Sequence, residues 1–197
     1  IGHGLTKAPT FIMCKNLDDV DYWGLYHIST GATHYGTLPS SSAPSSNSTF
    51  WNNTAPTNSV ISLGSQNRVN GSSNNMVAYA WHDVEGYSKF SQFEGNANND
   101  GTFVYTGFRP RMLFFRGMDT TSPWTVYDGV RGGGFNNPAN SPAQLFWNEN
   151  LADHTSYGLD IYSNGFKLRT SNATVNASGT WMFGAWGDVP FKYNNTF

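Results

Sequence analysis

The strongest constraint on the fold of this chain is that it repeats itself. Ala8-Pro-Thr-Phe-Ile-Met-Cys-Lys15 is matched by Arg109-Pro-Arg-Met-Leu-Phe-Phe-Arg116. Without a gap, Asp18, Trp23 and Tyr26 then align with Asp119, Trp124 and Tyr127, at the offset that separates Pro9 from Pro110 (110 − 9 = 101). A second pair is Ala80-Trp-His-Asp-Val84 and Ala185-Trp-Gly-Asp-Val189. Positions repeated as aromatic and aliphatic residues are scaffold positions, whereas catalytic residues usually occur once. The repeat therefore speaks to architecture before it speaks to activity.

Those repeated segments read as strands. No window of a dozen residues keeps an i, i+3, i+4, i+7 apolar pattern free of Gly or Pro, so helix signals are nearly absent. Short runs rich in β-branched and aromatic residues between turn signals predict strands near Thr10–Lys15, Gly24–Ile28, Val60–Leu63, Met76–His82, Ser88–Glu94, Phe103–Phe108, Arg111–Arg116, Thr125–Asp128, Leu159–Tyr162, Gly165–Thr170 and Thr180–Trp186. The run Thr180–Trp186 is apolar throughout, as suits a central strand covered on both faces. The Gly/Asn-rich Glu94–Thr102 segment tolerates the positive φ of a turn and predicts a hairpin joining the halves. The expected fold is an all-β antiparallel sandwich, jelly-roll-like. Its pseudo-twofold-related halves are residues 1–93 and 94–197, forming one compact unit. The first copy lacks the strand-like run Thr102–Thr106 that precedes the second. The chain, which opens on Ile1 without Met, thus reads as the C-terminal part of a longer polypeptide.

Composition narrows the partners. Only 12% of the 197 residues are charged, the net charge is −2 and the pI is about 6.2, which gives no field to attract nucleic acid or an anionic membrane. No apolar run approaches the ~20 residues of a membrane helix. Low charge with abundant Asn, Ser, Thr and Gly suits extracellular or virion β-proteins. Cys14 is the single cysteine, so no internal disulfide forms, and its counterpart Phe115 marks it as a buried small hydrophobe.

Candidate chemistry is sparse. The five histidines show no HxH or HExxH spacing, and the three glutamates, Glu85, Glu94 and Glu149, lie in no recognisable motif. His82-Asp83 would point to opposite faces of a strand. Asn96, Asn98 and Asp100 set oxygens at alternate positions, the arrangement that holds Ca2+, with a plain turn as the competing reading. Asp18-Asp19-x-Asp21 is a second acidic cluster, read as a turn. Two long irregular stretches, Thr37–Asn58 and Gly132–Ser156, each carry an aromatic pair, Phe50-Trp51 and Phe146-Trp147, read as matched positions. Exposed rings beside amides are how many β-sandwiches hold sugars, a ring stacking on the apolar sugar face while amides bond the hydroxyls. Tyr35, Trp51, Trp147 and Tyr157 are the glycan-contact candidates. No enzyme activity and no cofactor are expected.

The segments Trp81-His-Asp-Val-Glu-Gly-Tyr-Ser-Lys-Phe90 and Gly95-Asn-Ala-Asn-Asn-Asp-Gly-Thr-Phe-Val-Tyr-Thr-Gly-Phe-Arg-Pro110 make the chain resemble a domain of tail-fibre and other virion structural proteins of tailed bacteriophages, notably marine and cyanobacterial phages. Gly2-His-Gly-Leu-Thr-Lys-Ala-Pro9, Trp124–Asp128 and Asp160-Ile-Tyr-Ser-Asn-Gly-Phe-Lys-Leu-Arg169 carry the same likeness. The last strand departs from it: an acidic position that tends to be Glu is here Asp188. The resemblance implies a virion structural or adhesive module in a homo-oligomeric, trimeric fibre or on a capsid. Its partners would be other virion proteins and host surface polysaccharide, and no catalytic set is implied. A capsid-decorating or fibre-shaft domain and a polysaccharide depolymerase are the alternative readings.

Overall fold

The computed structural model describes residues 1–131 and 142–187, with 40% of the chain in strands and 7% in helix. Three antiparallel sheets carry the architecture. The first has the order β4-β3-β2-β1-β5, from β1 (Phe11–Asn16), β2 (Trp23–His27), β3 (His34–Leu38), β4 (Ser45–Ser46) and β5 (Met76–Trp81). The second has the order β10-β9-β8-β13-β6, from β6 (Ser88–Gly95), β8 (Pro110–Gly117), β9 (Thr125–Asp128), β10 (Gln144–Phe146) and β13 (Gly179–Gly187). The third is β11 (Leu159–Tyr162), β12 (Gly165–Leu168) and β7 (Phe103–Tyr105). In each large sheet three strands run as a meander and a later strand, β5 or β13, returns beside the first: a Greek key in each.

The repeat is reproduced in register. Ile12 faces Tyr26 on one side and Ala80 on the other; Leu113 faces Tyr127 and Ala185. The alternation of strand side chains then gives each sheet two equivalent faces. Phe11 and Leu25 of the first sheet and Phe114, Val126 and Met182 of the second point at each other, forming the core between sheets. The opposite faces, Ile12, Cys14 and Tyr26 in one copy and Leu113, Phe115 and Tyr127 in the other, are covered differently. The first is roofed by Phe50 and Trp51 of α1 (Ser48–Trp51), Val69 of α2 (Asn67–Asn70) and Ile61. The second is roofed by the third sheet and by Val175 of α3 (Ala173–Asn176). Each helix is a single turn capped by a side-chain oxygen of Asn47, Gln66 or Asn172.

Several expectations are corrected. The Glu94–Thr102 segment is not a hairpin: β6 pairs with β13 and β7 with β12, so the segment crosses between sheets. It is tied instead to the α3 region, with Ala97 N–H on the Asn176 carbonyl, Ser171 N–H on Asn99 Oδ1 and Gly101 N–H on the Leu168 carbonyl. β6 belongs to the second sheet, so the chain passes from the first large sheet to the second between Trp81 and Ser88. The expected strand at Val60–Leu63 is reduced to one bridge, Gly2 to Val60. The strand from Phe103 ends at Tyr105, because Gly107 has φ +87° and both Thr106 and Gly107 donate to the Asn164 carbonyl. The short strands β4 and β10 lie within the stretches that read as irregular, and β3 runs into the first of them at Thr37. Residues 132–141 of the second irregular stretch and Asp188 lie outside the described residues.

Candidate functional site

The aromatic pairs of the two excursions turn out not to be equivalent. Trp23 pairs with Leu38 across β2 and β3, and the Trp147 N–H donates to the carbonyl of Trp124, the repeat partner of Trp23. Trp147 is thus the counterpart of Leu38. Phe50-Trp51 belongs to α1, an element with no counterpart at that place among the described residues of the second copy.

This correspondence locates a recess. An apolar cleft of about 480 Å³ opens where the two large sheets meet. Three register-equivalent pairs line it, one member from each sheet: Phe11 and Met112, Trp81 and Trp186, Leu38 and Trp147, with Met13 beside them. Trp81 and Trp186 meet edge to face, ring centroids 6.1 Å apart. Trp147 packs against Phe114 at 5.2 Å, which holds its indole upright as a wall. Trp147 also lines a shallow depression of about 500 Å³ together with Asn148, Glu149, Asn150 and Leu151. Asn148 is fixed there because its Oδ1 accepts from the Trp124 N–H at 2.7 Å, while Glu149 and Asn150 are exposed. Trp147 thus shares one recess with amide and carboxylate groups and the other with apolar side chains alone.

The other glycan candidates are not brought to this place. Trp51 is a correction: it is only 1% exposed, edge-on to Tyr26 at 5.8 Å, and has no face to offer a sugar. Tyr35 is half-buried and stacks flat on Phe50, centroids 3.7 Å apart, on the outer side of the first sheet. Tyr157 is half-buried on the outer side of the second sheet, against His154 at 4.5 Å, and its carbonyl accepts from the Tyr127 hydroxyl.

The candidate calcium loop is occupied by protein. Asn96 Oδ1 accepts from Asn98 N–H and from Asn176 Nδ2, and Asn98 Oδ1 accepts from Asp100 N–H. The Asp100 carboxylate contacts Lys167 at 2.7 Å and Arg169 at 3.1 Å, and Lys167 beside it holds its pKa below the usual value. The oxygens that would face a cation therefore cap backbone amides and ion-pair instead, the Asx-turn use of these residues. Among the described residues no group of three His, Cys, Asp or Glu is placed to hold a metal ion, and no helix is long and apolar enough to cross a membrane. Asp18, of the second acidic cluster, accepts from Asn75 N–H, and Asp21 pairs with Arg68 at 2.7 Å. Burial pushes the Cys14 thiol up to about 12, as an inert core thiol requires.

Sequence reasoning passed over Trp81 and Trp186 because they belong to the repeated pair and read as scaffold. Their recurrence together was the signal that two equivalent rings could meet.

The structure thus defines a class: a duplicated all-β sandwich with a tryptophan-walled recess at the junction of its copies. The chain belongs to the family described as Domain of unknown function (DUF7483), which matches residues 1–190. No curated protein and no solved structure gives a significant match.

Proposed function

We propose that this domain is a non-enzymatic adhesive module of a phage virion, part of a tail fibre or receptor-binding protein, and that it holds host-surface glycan against Trp147. The observation that carries the reading is the placement of the Trp147 indole beside Asn148, Glu149 and Asn150. A pyranose ring stacks its apolar face on an indole, and neighbouring amide and carboxylate groups bond its hydroxyls. One such site gives weak affinity, so useful binding comes from several copies in a homo-oligomer, a trimer in the resemblance that supports the virion setting.

The test is a glycan array followed by titration calorimetry on the assembled oligomer, comparing the native chain with Glu149→Ala and Asn150→Ala. Both side chains are exposed, so folding is preserved. The reading expects a ligand whose binding weakens about tenfold or more in either variant, a loss of about 1.4 kcal/mol. Failure of a broad panel to bind, or binding that both variants leave unchanged, would refute it.

A further inference from the structure

The two large sheets match over four strands and, among the described residues, differ at both edges: β4, beyond β3, has no counterpart beyond β10, and β6, beyond β13, has none beyond β5. β13 has β8 on one side and β6 on the other, whereas its counterpart β5 has β1 on one side and, among the described residues, no strand on the other. The bond from Leu17 N–H to the Asn75 carbonyl, like that from Met118 N–H to the Thr180 carbonyl, fixes the alternation of the ladder. Residues of the Asn75 parity direct their backbone groups to β1, so those of Met76, Ala78 and Ala80 point to the open side. Their register equivalents Trp181, Phe183 and Ala185 are the residues that face Phe93, Ser91 and Lys89 of β6.

An exposed strand edge is normally blunted by charge, proline, a bulge or a covering segment. The β6 edge follows that rule: Phe90 N–H is taken by Asp83 Oδ1, the Ser88 carbonyl by Val84 N–H and the Glu94 carbonyl by Thr102 Oγ1. Among the described residues the β5 edge carries none of these devices. Its sequence, Met-Val-Ala-Tyr-Ala-Trp, is uncharged, and Ala78 and Tyr79 are exposed, Tyr79 to 49%.

Side-chain sizes say what kind of strand fits. Opposite Phe90 stands Gly184, where an added Cβ would come within 2.8 Å of the Phe90 ring; at the equivalent of Gly184 the first copy has Tyr79. On the outer face, Phe93 stacks on Trp181 and meets Phe183, whose equivalents are the smaller Met76 and Ala78. Large and small are exchanged on both faces.

We propose that the open edge of β5 takes up one antiparallel strand from a different polypeptide, not a second copy of this chain, in the place that β6 fills beside β13, with a small residue opposite Tyr79 and an aromatic residue over Ala78. This is recognition by strand addition, in which backbone bonds supply affinity and alternate side chains supply specificity. It stands apart from the glycan reading, since its contacts lie on β5 and not on residues 148–150.

The probe is a synthetic peptide with the β6 sequence Ser88–Gly95 carrying Phe90→Ala, added to the full chain. Calorimetry should show binding, and amide exchange by NMR should show new protection at Met76, Ala78 and Ala80. The further change Phe93→Ala in the peptide should weaken binding about tenfold or more. Ala78→Pro in the chain removes an outward N–H, a change edge strands tolerate, and should abolish the protection. Ala78→Glu, which alters no backbone group, should do the same should the proline variant fail to fold. No binding by the peptide, either free or joined ahead of Ile1 through a Gly/Ser linker, would overturn the proposal. So would binding that both Ala78 variants retain. A chain that dimerises alone in sedimentation, and loses the dimer in Ala78→Glu, would make a second copy the occupant and overturn it as well.

Discussion

His27 makes the joint between the two large sheets sensitive to acid. The residue ends β2, is 2% exposed, and its Nε2 lies 3.0 Å from the Phe183 carbonyl on β13 of the other sheet. Its Nδ1 accepts from the Ser29 N–H, so the ring is neutral with the proton on Nε2. The rings of Phe11 and Phe90 pack edge-on to it. Protonation would place a charge among those rings and turn Nδ1 from acceptor to donor against a donating amide. Burial accordingly pushes the His27 pKa from 6.5 down to about 4, with the Phe183 carbonyl opposing it. The unfolded chain takes up the proton near 6.5 and the folded chain does not until about 4. Stability is therefore fully present above pH 6.5 and falls as pH drops through this window. A separation of about 2.5 units at ~1.4 kcal/mol each gives a loss of about 3 kcal/mol, most of it by pH 4.5. The measurement is urea unfolding of the native chain and His27→Gln at pH 7 and pH 4.5. Carboxylates and exposed histidines titrate alike in both proteins, so the change in their stability difference isolates His27. The native chain should lose about 2 to 3 kcal/mol more than the variant on acidification. Equal losses in the two proteins would refute the assignment of a buried neutral imidazole.

Two further perturbations follow from the packing. Gly184→Ala puts a Cβ 2.4 Å from Cε1 of Phe114, a ring closed in on every side, and should cost about 1 to 3 kcal/mol by thermal or urea unfolding; an unchanged midpoint would show that the inter-sheet core is looser than described. Arg116 is fully buried, 4.9 Å over the Trp124 ring, donating from Nη2 to the Ser42 carbonyl, with Nε and Nη1 unbonded among the described residues. Burial pushes its pKa down to about 10, so its charge is costly where it stands. Arg116→Met fills the same space without that cost and should change stability by less than about 1 kcal/mol, or raise it, in urea unfolding; a loss above about 3 kcal/mol would show that the guanidinium bond to Ser42 holds the excursion in place.

Much of the fold is legible in the residues because strand alternation and repeat spacing are local properties. Ile12 and Leu113, Tyr26 and Tyr127, and Trp81 and Trp186 align in sequence and take the same register. Single-turn helices leave no periodic signal, so the aromatic pair Phe50-Trp51 was read with Phe146-Trp147 although it roofs the first sheet from α1. The partner of a strand is not written in the strand either: Ser88–Gly95 and Phe103–Tyr105 look like the arms of a hairpin, yet the amide network around Asn176 draws the connecting segment away.

By itself the sequence determined two copies of one antiparallel unit and the face each side chain takes, since pleat and repeat spacing depend only on near neighbours. Tertiary structure decided which of those faces stay open. Trp124 is sealed at 1% exposure while Trp147 walls a recess, and β13 has β6 on its outer side while, among the described residues, β5 has no strand there. Burial depends on what arrives from distant parts of the chain, and side chains of the same type become core or contact surface according to whether a neighbour covers them.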